Sequence, residues 1–252
     1  MPRYDFRTPR LFVDAALGEH ATVTLEREAA NYLINVLRLK PGDEVLLFNG
    51  RDGEWRASLG LTGRKSAALD VRERVRAQTA PGELHYLFAP LKHARLDYMV
   101  QKAVEMGAAR LSPVMTRHTQ VERVNLARMR ANAIEAAEQC GILSIPQVAE
   151  AVSLDTLIRA WTGDRLLVFC DEDAAVKDPV AALAAVRGDG RAAPLPVSVL
   201  VGPEGGFADE ERVALARLPN VVRLALGPRI LRADTAAVAA LSLVQSVLGD
   251  WR

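Results

Sequence analysis

The chain has 252 residues, half of them apolar and a quarter charged, and 32 basic against 31 acidic residues give a net charge of +1. Two cysteines without a CxxC pair and four scattered histidines exclude a disulfide-stapled protein and a zinc ribbon, and we expect no metal. No apolar run reaches the roughly 20 residues that span a bilayer, and the basic N-terminus lacks the apolar core of a signal peptide. The composition therefore predicts a cytoplasmic protein without a membrane partner, with one large domain or two smaller ones.

The charge is distributed unevenly along the chain. The first 130 residues carry an excess of six positive charges, whereas residues 131–190 carry an excess of six negative ones. Arginine accounts for 27 of the 32 basic residues, which suits planar contacts to phosphate, although a compositional bias of the source genome gives the same excess. A net charge near zero therefore does not exclude a nucleic acid partner.

Residues 1–76 are predicted to form mostly short strands. One helix, Glu26–Arg38, interrupts them and brings Ala29, Tyr32, Leu33, Val36 and Leu37 to one face. Asn49-Gly50 and Asp52-Gly53 supply turn residues between the first two strands. The predicted strands are Glu44–Phe48, Trp55–Leu59 and Ala67–Val75. This pattern predicts a small barrel-like β domain.

From Leu84 onwards, apolar strands alternate with helices. The predicted strands are Leu84–Ala89, Leu111–Met115, Leu166–Cys170, Val197–Val201 and Val221–Ala225. The predicted helices are Arg95–Met106, Asn125–Cys140, Ser153–Trp161 with Ser153 as N-cap, Pro179–Val186, Asp209–Arg217 and Thr235–Leu248. This alternation predicts an α/β domain over residues 77–252, with a mainly parallel sheet covered on both faces. A loop is expected over Gly188–Pro196.

The first motif that suggests chemistry follows the strand Val197–Val201. This strand runs into Gly202-Pro203-Glu204-Gly205-Gly206 and then into a helix. Ligands of open α/β sheets bind beyond the carboxyl ends of strands, and glycines there permit close backbone approach. The segment is neither GxGxxG nor GxxxxGK[ST], so neither a dinucleotide nor a P-loop phosphate is indicated. The alternative is a plain turn, but three glycines and a proline in five residues exceed what a turn requires.

A second strand, Val221–Ala225, also ends in a Gly-Pro pair. Arg229, Arg232 and Asp234 follow it, just before an alanine-rich helix. One interpretation makes Asp234 or Thr235 the helix cap, which we expect for Thr235, and leaves the arginines solvated. Two arginines and an acid beside a second Gly-Pro loop are more typical of an anion or base site.

The GPEGGF segment, followed downstream by LGPRILRADTA, closely resembles the 16S ribosomal RNA uridine N3-methyltransferases, a branch of the SPOUT superfamily of S-adenosylmethionine-dependent enzymes. The resemblance covers nearly the whole chain, since Asn31–Asp43 and Leu47–Gly50 are similar to that family's PUA-like RNA-binding domain. Asp234 stands where the family usually has glutamate, so the charge is kept but its reach is shorter.

The resemblance implies a PUA-like β-barrel over residues 1–76 and a SPOUT domain over residues 77–252 that is knotted as a trefoil. It also implies S-adenosyl-L-methionine as cofactor, a homodimer, and 16S ribosomal RNA or the small ribosomal subunit as partner. The residues expected to bind the cofactor are Leu200, Val201, Gly202, Pro203, Glu204, Gly205, Gly206, Leu224, Leu226, Gly227, Ile230, Leu231, Ala233 and Thr235.

Methylation of uridine N3 requires loss of the imide proton and stabilisation of the resulting negative charge. We expect Arg229 or Arg232 to stabilise that charge and Asp234 to accept the proton. The residues expected to bind RNA are Arg3, Arg7, Arg10, Arg38, Lys40, Arg117 and Arg123. Two alternatives stay open: a SPOUT enzyme with another RNA target, such as a transfer RNA ribose 2′-hydroxyl, and a non-catalytic RNA-binding ribosome-assembly protein.

The two cysteines and one run of acidic residues are interpreted structurally. Cys140, near a helix end, is expected to be a small buried residue. Cys170 ends a strand and is expected to border the site, whereas the acidic residues 171–173 that follow are interpreted as solvated surface.

Overall fold

The structure, a computed structural model, describes residues 7–61, 67–187 and 196–251. The chain divides into two compact units, Met1–Ala80 with Ala137–Ile145, and Pro81–Ala136 with Pro146–Arg252. The expected division at residues 76 and 77 lies close to this boundary but did not include the return of Ala137–Ile145 to the first unit. Arg3, and the expected loop Gly188–Pro196 apart from Pro196, lie outside the described residues. Within these ranges, no helix is both long and apolar enough to cross a membrane.

The first unit is built on a five-stranded sheet, in the order β1-β3-β4-β5-β2. Its strands are β1 Arg10–Phe12, β2 Thr22–Thr24, β3 Glu44–Phe48, β4 Glu54–Leu61 and β5 Ala67–Arg76. β1 pairs with β3 in parallel and the other neighbours are antiparallel. Leu33, Leu47 and Leu69 lie in its fully buried core. The small N-terminal β domain is thus confirmed, and the sequence analysis missed the two three-residue strands β1 and β2.

The predicted helix of the first unit changes its geometry halfway. Helix α1, Arg27–Asn31, continues as a π-helical turn over Tyr32–Val36, in which the amide of Leu37 donates to the carbonyl of Tyr32. The wider turn shifts the helical phase. Val36, expected on the buried face, is therefore 61% exposed. Arg38 then takes a positive φ of 58°, which ends the helix.

The second unit is built on a seven-stranded sheet whose observed pairs are all parallel, in the order β12-β10-β11-β6-β7-β8, with β9 beside β7. Its strands are β6 His85–Phe88, β7 Arg110–Met115, β8 Gln147–Val148, β9 Val152–Ser153, β10 Leu166–Cys170, β11 Val197–Val201 and β12 Val221–Leu224. Its helices are α2 His93–Glu105, α3 Leu126–Cys140, α4 Leu154–Ala160, α5 Pro179–Arg187, α6 Asp209–Ala216 and α7 Ala233–Val247. The α/β class and the parallel sheet are confirmed.

Five of the six helices named for the second unit pack in two groups. Helix α7 contacts α2 and α5, whereas α4 contacts α6. Tyr86, Phe88 and Phe169 of the central strands are fully buried because helices cover the sheet. These contacts leave the strand ends, where loops connect to the helices, as the open part of the sheet.

Two expected helix caps have different outcomes. The Oγ of Ser153 accepts a hydrogen bond from the amide of Thr156 at 3.1 Å, so the predicted N-cap of α4 is confirmed. Helix α7 begins at Ala233, with Arg232 in the N-cap position, so the prediction that Thr235 caps it is wrong. Cys140, at the end of α3, is exposed rather than buried, because the last turn of the helix faces solvent at that position.

Arg10 has a structural role in the first unit that the sequence analysis did not predict. Its side chain is 4% exposed and its Nε donates to Glu54 at 2.6 Å. Its guanidinium also donates to the carbonyl oxygens of Ala137, Glu138 and Ile142, at the end of α3. It thereby satisfies carbonyl groups that have no partner within the helix. The expectation that Arg10 binds RNA is corrected, since its charge is buried and fully engaged.

Candidate functional site

Three loops meet at one edge of the parallel sheet. Strands β11, β10 and β12 are neighbours, so their carboxyl ends lie together. The loops that follow them are residues 202–208, 171–178 and 225–232. They enclose a cavity of about 610 Å³, here called the loop cavity. Its volume lies within the range of small-molecule sites.

The loop cavity brings together most of the residues expected to bind a cofactor. Those that line it are Val201, Gly202, Pro203, Glu204, Gly205, Gly206, Leu224, Leu226, Gly227, Ile230, Leu231 and Ala233. Leu200 is fully buried within β11, and Thr235 lines a neighbouring groove instead. The two Gly-Pro loops singled out in the sequence therefore form two walls of one cavity.

The third wall, the loop after β10, was not predicted from the sequence apart from Cys170. The lining residues that were not expected are Asp171, Glu172 and Lys177 of this loop, and Phe207, Pro228 and Ala236 elsewhere in the cavity. The loop after β10 has no glycine or proline motif at the strand end. It could have been found from its position alone, because it follows an apolar strand of the same parallel sheet.

Glycines allow the walls of the loop cavity to pack closely. Gly206 has a positive φ of 67°, and a side chain there would come within 3.0 Å of the Glu172 carboxylate. A side chain at Gly202 would come within 2.9 Å of the Phe207 ring. The imidazole Nδ1 of His118 also lies 3.1 Å from the carbonyl oxygen of Gly205. The GPEGGF loop is therefore held from several sides.

A buried carboxylate joins two of the walls. The Asp171 side chain is fully buried, with one oxygen 2.6 Å from Arg223 and the other 3.2 Å from Arg212. Arg212 also donates to the carbonyl oxygen of Phe207 at 3.1 Å and pairs with Glu172 at 2.5 Å. The interpretation of residues 171–173 as solvated surface is wrong for Asp171, which is neutralised by two arginines. Arg212 ties the loop after β10 to the loop after β11.

The Cys170 thiol is chemically quiet. Burial, with a smaller contribution from the neighbouring Asp171 charge, raises its pKa to about 12. A thiol with this pKa stays protonated at neutral pH and is a poor nucleophile. Cys170 borders the cavity, as expected, but contributes bulk rather than reactivity.

The three expected catalytic residues take different positions. Arg229 is exposed and lines the loop cavity. Arg232 is exposed and lies outside that cavity. Asp234 lies in the first turn of α7, where its carboxylate accepts a hydrogen bond from the amide of Thr235 at 2.8 Å. Asp234 lines a neighbouring groove of about 490 Å³ together with Arg95 and Tyr98.

The residues expected to bind RNA are divided between the two units. Arg7, Arg38 and Lys40 are exposed in the first unit. Arg117 and Arg123 are exposed in the second unit, in the segment between β7 and α3, and Arg117 forms an exposed pair with Glu210 at 3.4 Å.

Two known protein families match this chain, one near its N-terminus and one over most of the remainder. Residues 25–71 match the RNA methyltransferase PUA domain, and residues 78–245 match the RNA methyltransferase domain. A relative from Synechocystis, described as ribosomal RNA small subunit methyltransferase E, is 30% identical over 90% of this chain and 74% of its own. The two matching domains together define an RNA methyltransferase.

Solved structures agree with this class. The ribosomal RNA small subunit methyltransferase E from Neisseria gonorrhoeae, bound to S-adenosyl methionine, superposes with a TM-score of 0.84 at 26% identity, covering 98% of this chain and all of that one. A protein from Legionella pneumophila in complex with the cofactor S-adenosylmethionine gives a TM-score of 0.80 at 29% identity, covering 95% of this chain and 98% of that one. The chain belongs to the ribosomal RNA small subunit methyltransferase E family.

Proposed function

We propose that this protein transfers a methyl group from S-adenosyl-L-methionine to N3 of a uridine in the 16S ribosomal RNA of the small subunit. The observation that carries the proposal is the loop cavity, which unites the GPEGGF loop and the LGPRIL loop in the fold of a small subunit RNA methyltransferase. We infer that the reaction takes place in the cytoplasm.

The residues of the loop cavity fit this cofactor. Gly202, Gly205, Gly206 and Gly227 leave backbone groups accessible for adenine and ribose, and Leu226 and Leu231 supply apolar walls. When bound, S-adenosylmethionine supplies an electrophilic methyl group on a sulfonium. The cavity contains both acidic and basic side chains, which suits the carboxylate and ammonium of the methionine part.

The chain must do the remaining chemistry on the uridine. The N3 proton has to leave before or during methyl transfer, and negative charge then develops on the uracil ring. Arg229, on the cavity wall, is the first candidate to stabilise this charge, and Arg232 is the second. Asp234 is the candidate proton acceptor.

We further propose that the C-terminal domain is knotted as a trefoil and that a second copy of the chain completes the site. Ile230 supports the second part of this proposal, because it lines the loop cavity and yet is 98% exposed in the single chain. A large apolar side chain at a binding site is usually covered by a partner or a ligand. Analytical ultracentrifugation of the full chain and, separately, of an Ile230→Asp variant tests whether a second copy binds. A wild-type protein that is monomeric in solution contradicts the proposed second copy.

Product mapping tests the proposed reaction. Small ribosomal subunits from cells that lack this methyltransferase are incubated with the protein and methyl-labelled S-adenosylmethionine, and the 16S RNA is then read by primer extension. We expect label in the RNA and a new polymerase stop at one uridine, because a methyl group at N3 blocks base pairing. Labelled RNA without a stop indicates methylation at an atom outside the pairing edge, such as a ribose 2′-hydroxyl, instead. Cofactor binding without any transfer, measured by calorimetry, indicates a binding protein.

A further inference from the structure

A second depression lies directly beside the loop cavity. The segment after β6 and the segment after β7 form its walls, and its volume is about 340 Å³. Its lining includes Leu91, Lys92, Arg95, Gln120, Val121 and Glu204. We call it the side groove. Glu204, from the GPEGGF loop, also lines the loop cavity, so the two depressions share a wall.

The polar side chains of the side groove are available for a ligand. Lys92 and Gln120 are exposed, and neither side chain has a hydrogen bond or ion pair with any of the described residues. Lys92 precedes the first turn of α2, and Gln120 follows the turn in which Thr119 bonds to Thr116. Both side chains therefore extend from backbone positions next to hydrogen-bonded turns.

The remaining lining residues give the groove an apolar floor and a charged border. Leu91 is 2% exposed, and Val121 is half-buried. Arg95 pairs with Glu204 at 3.3 Å, with both side chains slightly over two-fifths exposed. This pair stands at the wall shared with the loop cavity. An exposed pair of this kind is worth little free energy, so a ligand can rearrange it at small cost.

We propose that the side groove holds the target uridine, with Lys92 bound to its phosphate and the Gln120 amide nitrogen donating to a carbonyl oxygen of its base. This inference rests on the proposed function. A uridine N3 is accessible only when the base is unpaired, and unpaired bases are read by hydrogen bonds to their edges and by packing on side chains. The volume lies at the lower limit for small-molecule sites and suits a single nucleotide.

The amide side chain of Gln120 can bind uracil without covering the reacting atom. Its NH2 group donates to one of the two uracil carbonyl oxygens, which leaves the N3–H between them free to lose its proton. Lys92 supplies a point charge for a phosphate, as lysine commonly does. Because Glu204 lines both depressions, a base in the side groove lies next to the cavity that is proposed to bind the cofactor. The groove therefore provides a phosphate contact, a base contact and proximity to the methyl donor.

The test measures the use of the RNA substrate and the binding of the cofactor separately. Lys92→Ala is expected to lower kcat/KM for small ribosomal subunits by about tenfold to a hundredfold, the usual effect of losing a charged hydrogen bond, while the Kd of S-adenosylmethionine measured by calorimetry stays unchanged. Lys92→Arg, which keeps the charge, is expected to recover most of the loss. The matched control is Arg159→Ala, which removes one exposed positive charge at the end of α4.

Photo-crosslinking locates the base directly. In the RNA, the uridine that the protein methylates is replaced by 4-thiouridine. The RNA is irradiated in complex with the wild-type protein, and the peptide that becomes attached to it is identified by mass spectrometry. We expect attachment to the segments around Lys92 or Val121. Attachment to Tyr98 or Thr235 overturns the proposal, and so does a Lys92→Ala variant that behaves like Arg159→Ala. If the methyl group is found on another atom of the same nucleotide, the proposed reaction at N3 is refuted, whereas the crosslink still shows whether the base of that nucleotide lies in the side groove.

Discussion

At the scale of single residues, Asp234 occupies a position that suits two roles, one at the start of α7 and one in proton transfer. Its carboxylate accepts the amide of Thr235, so it stabilises the positive end of the α7 helix dipole. It also faces the groove that contains Arg95 and Tyr98, next to the side groove, with which that groove shares Arg95. For a base in the side groove, a role of Asp234 in proton transfer therefore requires the uridine N3 to lie at the border that the two grooves share, beside Arg95.

The substitution Asp234→Asn distinguishes these roles. Asparagine keeps the shape and can still accept the Thr235 amide, but it cannot take a proton at neutral pH. If Asp234 is the proton acceptor, the single-turnover rate of methyl transfer is expected to fall by about 10²-fold to 10⁴-fold, the usual contribution of a general base.

The control for this variant is Asp155→Asn. Asp155 is likewise the second residue of its helix, α4, and its substitution removes the same charge from a helix start. We expect it to leave the methyl-transfer rate near that of the wild type. If the methyl-transfer rate of Asp234→Asn is near normal as well, the role of Asp234 is only to stabilise the start of α7.

Site residues that carry a local sequence signal were predicted, whereas residues with buried charges were not. The glycines and leucines of the two Gly-Pro loops could be assigned because a strand end and a turn residue are both local signals. Arg10 and Asp171 could not, because each is neutralised by partners far along the chain, Glu54 for Arg10 and Arg223 for Asp171. In the sequence, a paired buried charge looks the same as a solvated one.

At the scale of elements, long periodic segments were predicted and short or irregular ones were not. The strands over Glu44–Phe48 and Leu166–Cys170 were predicted to the residue. The short strands β1, β2, β8 and β9 have two or three residues each, which is too few for a periodic pattern. The π turn of the first unit was missed because the apolar spacing of its residues matches that of a continuous α-helix.

Arg212 allows a prediction at this scale, because it connects two loops of the cofactor cavity. Replacing it by methionine keeps much of its bulk but removes its contacts with Asp171, Glu172 and the Phe207 carbonyl. We expect Arg212→Met to raise the Kd of S-adenosylmethionine about tenfold, as loosened loops pay an ordering cost on binding. At saturating cofactor, kcat is expected to stay near the wild-type value.

Calorimetry and steady-state kinetics measure the two quantities, and urea unfolding shows whether the variant is folded. Arg217→Met is the matched control, because Arg217 is exposed at the end of the same helix, α6. A fall in kcat with an unchanged Kd contradicts a positioning role for Arg212. Equal effects of the two substitutions contradict it as well.

At the scale of the whole molecule, pairing decides which positive charges can attract RNA. The net charge of +1 hides an excess of six positive charges in the first 130 residues. Several of these are already neutralised, since Arg10 pairs with Glu54, Arg56 with Glu44, and Arg128 with Asp97. Arg38 and Lys40 are exposed, and neither side chain forms an ion pair with a carboxylate of the described residues.

This distinction predicts how salt affects RNA binding. Each phosphate that a basic residue neutralises releases counterions, and the slope of log K against log salt concentration changes by about 0.7 to 0.9 per contact. Replacing both Arg38 and Lys40 by alanine is therefore expected to make that slope shallower by roughly one to two, measured by fluorescence anisotropy with a labelled 16S RNA fragment. The control Arg56→Ala is expected to leave the slope nearly unchanged, because Glu44 and Glu73 already neutralise Arg56. Equal slopes for the double variant and the wild type would place the RNA contacts of this protein elsewhere on its surface.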